Sequence, residues 1–207
     1  MSFKLANINV PRDASPEIIL NLLNLNDDAD TKISEYLENP CVISNASSFL
    51  KQVLNTDLCL ISNGTMLTEL RLSENTLKDK ICRKQINSVF QILQCMNISV
   101  PKSEIAEFDD EETSFEHSSQ MYKLLLTDGV HRCYGTNVTP INGINDKTLM
   151  GSKIYVNGMV DVSIGIMLLT QNTTFMLGGS LYRYKPKVDK IEKTPNAPKF
   201  VPFTTEK

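Results

Sequence analysis

The chain has 207 residues, of which 41% are hydrophobic and 22% charged, and its net charge is −3. That balance suits one or two folded domains with a core. It excludes a protein that grips phosphates over its whole surface, while leaving room for a local basic patch. No apolar run reaches the roughly 18–20 residues that a bilayer crossing needs, so no membrane partner is expected.

The stretch 1–17 has no apolar signal core and no small-residue cleavage pattern, so the chain is expected to be made and kept inside the cell. There the N-x-S/T sequons at Asn45, Asn63, Asn97, Asn137 and Asn172 are chance products of composition. Five cysteines, no C-x-x-C and only two histidines argue against a zinc site and against a disulfide scaffold. Cys41, Cys59, Cys82, Cys95 and Cys133 read as small buried hydrophobes.

In chain order, the first element is a helix. Ser15-Pro16-Glu17 supplies an N-cap, a proline at the first helical position and an acid in the first turn. Ile18, Ile19, Leu22 and Leu23 then share one helical face. A second, short helix is expected over Thr31–Glu38, stopped before Pro40. A third is expected over Asn45–Leu58, with Phe49, Leu50, Val53 and Leu54 as its apolar set. Each is too short to stand alone, so they must pack on one another or on the rest of the chain. Ser62-Asn63-Gly64 reads as a turn. Over 65–82, Leu67, Leu70 and Leu77 fit either a helix or a packed loop.

From Ile86 the period changes. Ile86–Asn97, Met121–Thr127, Val130–Val138, Ser152–Gly158, Gly165–Thr170 and Thr173–Leu177 are six short runs rich in Ile, Val, Tyr and Leu. Several are bounded by turn signals such as Asp128-Gly129 and Asn157-Gly158. Closely spaced strands of this kind suggest a small barrel or sandwich. The 165–170 run is apolar at nearly every position and is expected to be covered on both faces, by the barrel interior on one and by the N-terminal helices or a partner on the other, with its outward apolar residues as candidate partner contacts.

Two segments differ in charge. Between the first two strands, residues 98–120 hold seven acids and one base, a net −6. Ile105, Phe108 and Phe115 stand among those acids, notably Asp109, Asp110, Glu111 and Glu112. A purely solvating loop has little use for such side chains; they can anchor on a partner while the acids meet its basic surface. After Gly179 the chain carries seven bases and three acids with four prolines, which reads as a basic flexible tail.

No catalytic constellation appears: no P-loop, no G-x-G-x-x-G after a strand, no H-E-x-x-H and no G-x-S-x-G. The chain is therefore read as a non-enzyme without metal or cofactor, with His131 structural. A nucleic-acid surface would have to be assembled from Tyr122, Tyr134 and Tyr155 with Lys123, Arg132 and Lys153. Lys123, Arg132, Tyr134 and Lys153 are its candidate contacts. The competing reading packs the tyrosines at the barrel edge with their hydroxyls exposed.

Ordered motifs go further. Phe49–Leu58, ending in Thr56-Asp57-Leu58, resembles the last bundle helix of the RecQ-mediated genome instability protein 1 family. Lys84-Gln85-Ile86-Asn87-Ser88 resembles the opening of that family's first barrel strand. Leu125-Leu126-Thr127-Asp128-Gly129 with Thr139-Pro140-Ile141 resembles its L-T-D-G strand end and P-I corner. Gly151-Ser152-Lys153-Ile154, Gly165–Leu169 and Leu177-Gly178-Gly179 resemble its G-[ST]-K-I, G-V-x-L-L and L-G-G marks. Order and spacing agree over about residues 15–180, and the wording is most similar to compact fungal members.

The resemblance implies an α+β fold: a small three-helix bundle (1–64) packed on a five- to six-stranded OB-fold barrel (65–180) with a long acidic insertion loop (98–120); the basic tail (181–207) departs from it, standing where some relatives continue with a helix. It implies a non-catalytic nuclear partner of a type IA topoisomerase (topoisomerase III) and a RecQ-family helicase, touching DNA weakly or through the complex. That complex dissolves double Holliday junctions without crossover, and the insertion reaches the topoisomerase gate and favours decatenation. Ile105, Phe108, Asp109, Asp110, Glu111, Glu112 and Phe115 are then its contact residues. The rival reading is a stand-alone OB-fold protein that binds single-stranded DNA.

Overall fold

The structure is a computed structural model and describes residues 14–64, 82–99 and 120–181. The expectations for 65–81, for most of the acidic insertion and for nearly all of the basic tail lie outside the described residues.

Four short helices come first: α1 (Pro16–Leu22), α2 (Ala29–Leu37), α3 (Ala46–Leu54) and α4 (Leu58–Ile61). Side chains set the starts of three. The Ser15 hydroxyl accepts from the Ile18 amide at 3.4 Å, the Asn45 side-chain Oδ1 from the Ser47 amide at 2.9 Å, and the Asp57 carboxylate from the Cys59 amide at 3.0 Å. The expected single helix over Asn45–Leu58 is thus two. Thr56 turns its hydroxyl back onto the Gln52 carbonyl at 2.9 Å, and Asp57 caps a new turn. The helical part is therefore three helices plus a one-turn fourth.

Six strands follow: β1 (Cys82–Asn97), β2 (Tyr122–Thr127), β3 (Arg132–Asn137), β4 (Lys153–Ser163), β5 (Ile166–Leu169) and β6 (Thr174–Gly178). Their order is β1-β2-β3-β5-β4-β6, and β4 also pairs with β1, so the sheet closes on itself. β3 and β5 run parallel and every other pair antiparallel. β1 serves both neighbours: residues 82–91 pair with β4 and 91–97 with β2, with a register shift between Ile92 and Gln94. Such a bulge bends a long strand around a barrel corner.

Two cores share these strands. The barrel interior holds Phe90, Ile92, Leu124, Leu126, Ile154, Val156, Met167 and Leu169 among others. The second core joins Ile19, Ile33, Leu50, Val53 and Leu58 of the helices to Val89, Tyr155 and Leu177. Those last three alternate with interior residues on β1, β4 and β6, so the helices lie on the outside of the barrel there. This makes 88–92 and 153–156 buried without interruption. β5 alternates, with Met167 and Leu169 inside and Ile166 and Leu168 half-buried outside, and among the described residues the core formed by the helices does not include it, which leaves a partner as the second cover. The cysteines correct an expectation. All five are free, Cys133 is buried, Cys41 and Cys95 are half-buried, and Cys59 and Cys82 are exposed. No described helix is long and apolar enough to cross a membrane.

Candidate functional site

Three places could serve a function: the seam between helices and barrel, the neck of the acidic insertion, and the outward face of β2, β3 and β5.

The seam is polar at its centre. Lys153 is 0% exposed, and its Nζ donates to the Thr56 carbonyl at 2.7 Å. Gln91, also 0% exposed, accepts from the Leu58 amide at 2.9 Å and donates to the Asp57 carboxylate at 2.9 Å. Burial pushes the Lys153 ammonium down to about 7, and the charge of Asp57 acts against that shift. Around this centre the glycines fit closely. Gly179 has φ +84°, and a Cβ there would sit 2.1 Å from the Leu54 carbonyl oxygen. Gly129 has φ +108°, and a Cβ there would sit 2.8 Å from the Leu58 oxygen. The Asp128 carboxylate accepts from the Val130 and His131 amides at 3.0 and 2.7 Å and shapes the turn before β3. Ser62 donates to the Asp128 carbonyl at 3.0 Å and so ties α4 to that turn.

The motifs Thr56-Asp57-Leu58, Asp128-Gly129, Ser152-Lys153 and Gly178-Gly179 therefore meet at one interface. They hold helices on barrel. Lys153 was a candidate nucleic-acid contact, and the structure removes it from that set: a wholly buried ammonium cannot reach a phosphate. Sequence reasoning missed Gln91 and Asp57 as its companions. The available signal was Gln91 itself, a polar side chain inside the apolar run Val89-Phe90-Gln91-Ile92-Leu93.

At the insertion, the expected contacts Ile105, Phe108, Asp109, Asp110, Glu111, Glu112 and Phe115 lie outside the described residues. Its neck is described. The Ile98 amide donates to the Met121 carbonyl at 2.8 Å, and the Met121 amide donates to the Ser99 hydroxyl at 2.5 Å. Beside it opens a cleft of about 380 Å³ lined by Tyr122, Asn137, Ile141 and Asp146 among others. Its polar groups are engaged with one another. Asn137 accepts from the Tyr122 amide at 2.6 Å and donates to the Gln120 carbonyl at 3.0 Å. Asn97 donates to Asp146 at 3.2 Å. Burial, aided by Asp146, pushes the Tyr122 hydroxyl up to about 12.

The remaining candidates come together on the outside of the barrel. Lys123, Arg132 and Tyr134 are exposed, and the Lys123 ammonium sits 4.5 Å from the centre of the Tyr134 ring. The other two tyrosines are 3% exposed, so the expected exposed barrel-edge packing holds for neither. The Tyr155 hydroxyl donates to Asn87 at 2.8 Å and the Tyr122 hydroxyl to Gln120. One aromatic and two cations remain on the surface that a nucleic-acid reading would need.

A family model described as "RMI1, N-terminal OB-fold domain" matches residues 72–190, more than half of the sequence. The chain belongs to this family. Among curated proteins it is similar to Tudor domain-containing protein 3 of Xenopus tropicalis, 34% identical over 93 residues, covering 45% of this chain and 12% of that protein. It is also similar to RecQ-mediated genome instability protein 1 of Danio rerio, 23% identical over 142 residues, covering 64% of this chain and 27% of that one. The Gallus gallus protein of the same name is 33% identical over 63 residues, covering 30% of this chain and 10% of that one. The chain thus spans about a tenth to about a quarter of the length of the curated relatives it matches. The OB-fold of the family agrees with the closed barrel described above.

Proposed function

We infer that this chain is a non-catalytic accessory subunit of a nuclear topoisomerase III–RecQ helicase complex, which stimulates decatenation and the dissolution of double Holliday junctions. The single observation that carries this reading is the family match over 72–190. The relatives named for RecQ-mediated genome instability support it.

The working part is the insertion at 98–120. A topoisomerase channel that holds DNA must present positive charge, and a segment of net −6 with Ile105, Phe108 and Phe115 is complementary to it. The neck at Ser99 and Met121 bears on how the segment acts. Two hydrogen bonds hold the two ends side by side, so the insertion leaves and re-enters the barrel at one point.

Reconstitution with topoisomerase III tests this. Replacing 100–119 by a short Gly-Ser turn is expected to change stability by less than about 1 kcal/mol, because the closed ends already fix the loop. Stimulation of decatenation is expected to fall about tenfold or more, as when an interface loses its anchors. Undiminished stimulation by the shortened protein would refute the role of the insertion.

A further inference from the structure

The outward face of β2, β3 and β5 is left over by the proposed function. The pairing puts its side chains in two rows. One row crosses Lys123, Thr136 and Leu168, and the other Leu125, Tyr134 and Ile166. The helices pack on β1, β4 and β6 and leave this face open, with Tyr134 44% exposed and Leu125, Ile166 and Leu168 half-buried. Arg132 ends the face at one corner. Neither Lys123 nor Arg132 forms an ion pair with an acid among the described residues.

We propose that this face docks an acidic protein segment that alternates carboxylates with aliphatic or aromatic side chains. Charge selects the occupant. Two exposed cations flank a floor that is mainly apolar, with Leu125, Ile166 and Leu168 beside Thr136 and Tyr134, so the complement must be negative and must also bury greasy surface. A second copy docking by the same face would set Lys123 and Arg132 against themselves and is repelled. A single-stranded nucleic acid needs several rings to stack on, and this face offers one tyrosine among aliphatic side chains. An extended segment with side chains on alternate sides meets both needs: one side fills the spaces over Leu125, Ile166 and Leu168 while flanking carboxylates reach the cations.

The test uses the full 207-residue chain and a fluorescein-labelled peptide that alternates glutamate with leucine and phenylalanine. Anisotropy gives the affinity, and amide chemical shifts give the place. The expected result is saturable binding with shifts centred on Lys123, Tyr134 and Leu168. The double variant Lys123→Glu, Arg132→Glu is expected to bind at least about tenfold more weakly while melting at the same temperature. Leu168→Asp gives a second, independent loss by attacking the apolar floor. The peptide with lysine in place of glutamate is expected not to bind. Deleting 100–119 is expected to leave peptide affinity unchanged, so failure here and failure of the insertion's role are read separately. Equal affinity of the charge-reversed variant, shifts falling elsewhere, tighter binding of an oligo-thymidine to the same residues, or self-association through this face would each overturn the proposal.

Discussion

Lys153 and Lys123 stand on strands of one barrel and both point away from its interior, yet the first is wholly buried and the second exposed. The difference lies in what covers each strand. Over β4 and the middle of β1 the helices supply a second layer, and every polar group there must be paired within it. Over β2, β3 and β5 no such layer is described, and Lys123 rests on a tyrosine ring. The same strand alternation therefore gives a buried, structural lysine on one side of the barrel and an exposed lysine on the other.

Breaking the seam should have the largest effect. Gly179→Ala places a Cβ against the Leu54 carbonyl at a positive φ and is expected to cost about 3 kcal/mol or more in chemical denaturation. Next comes Gln91→Ala, which strands the Leu58 amide and a partner of Asp57 inside the interface. Its expected cost is about 2–3 kcal/mol.

The third test is pH. The Lys153 ammonium is held at about 7 in the folded protein, well below its ordinary value near 10.5. Between those values the unfolded chain carries the proton and the folded chain does not, so stability rises with pH. The contribution is complete above the unfolded value and is lost as pH falls through about 7. Relative to Lys153→Met, the wild-type protein should therefore gain about 1 kcal/mol per pH unit between pH 8 and 9. A constant gap between the two proteins across that range would show that Lys153 keeps its proton.

The smallest effects are expected on the open face. Lys123→Ala, Arg132→Ala and Tyr134→Ala should each shift stability by no more than about 0.5 kcal/mol, measured in the same denaturant titration. A loss as large as that of Gln91→Ala would erase the contrast between the two surfaces.

Much of the architecture was legible in the sequence because it depends on local chemistry. The cap at Ser15 and the turn at Asp128-Gly129 announce themselves through residue type. What was not legible is which layer lies over which strand, a property of distant segments. The apolar run at 165–170 therefore left open whether the helices or a partner lie over it, and the described helices pack elsewhere, while Lys153 suggested a surface cation. The motif Thr56-Asp57-Leu58 was visible as a family mark, but its work needs Gln91, 34 positions beyond Asp57, and Lys153, 97 positions beyond Thr56. The contact residues of the insertion rest on composition and resemblance.

The buried bond from Lys153 to Thr56 has a consequence for how the molecule comes apart. Because β4 contributes Ile154 and Val156 to one core and Lys153 and Tyr155 to the other, neither can melt without exposing the other. Helices and barrel should then unfold as one cooperative unit, with a single calorimetric peak and matching hydrogen-exchange protection in α3 and β4.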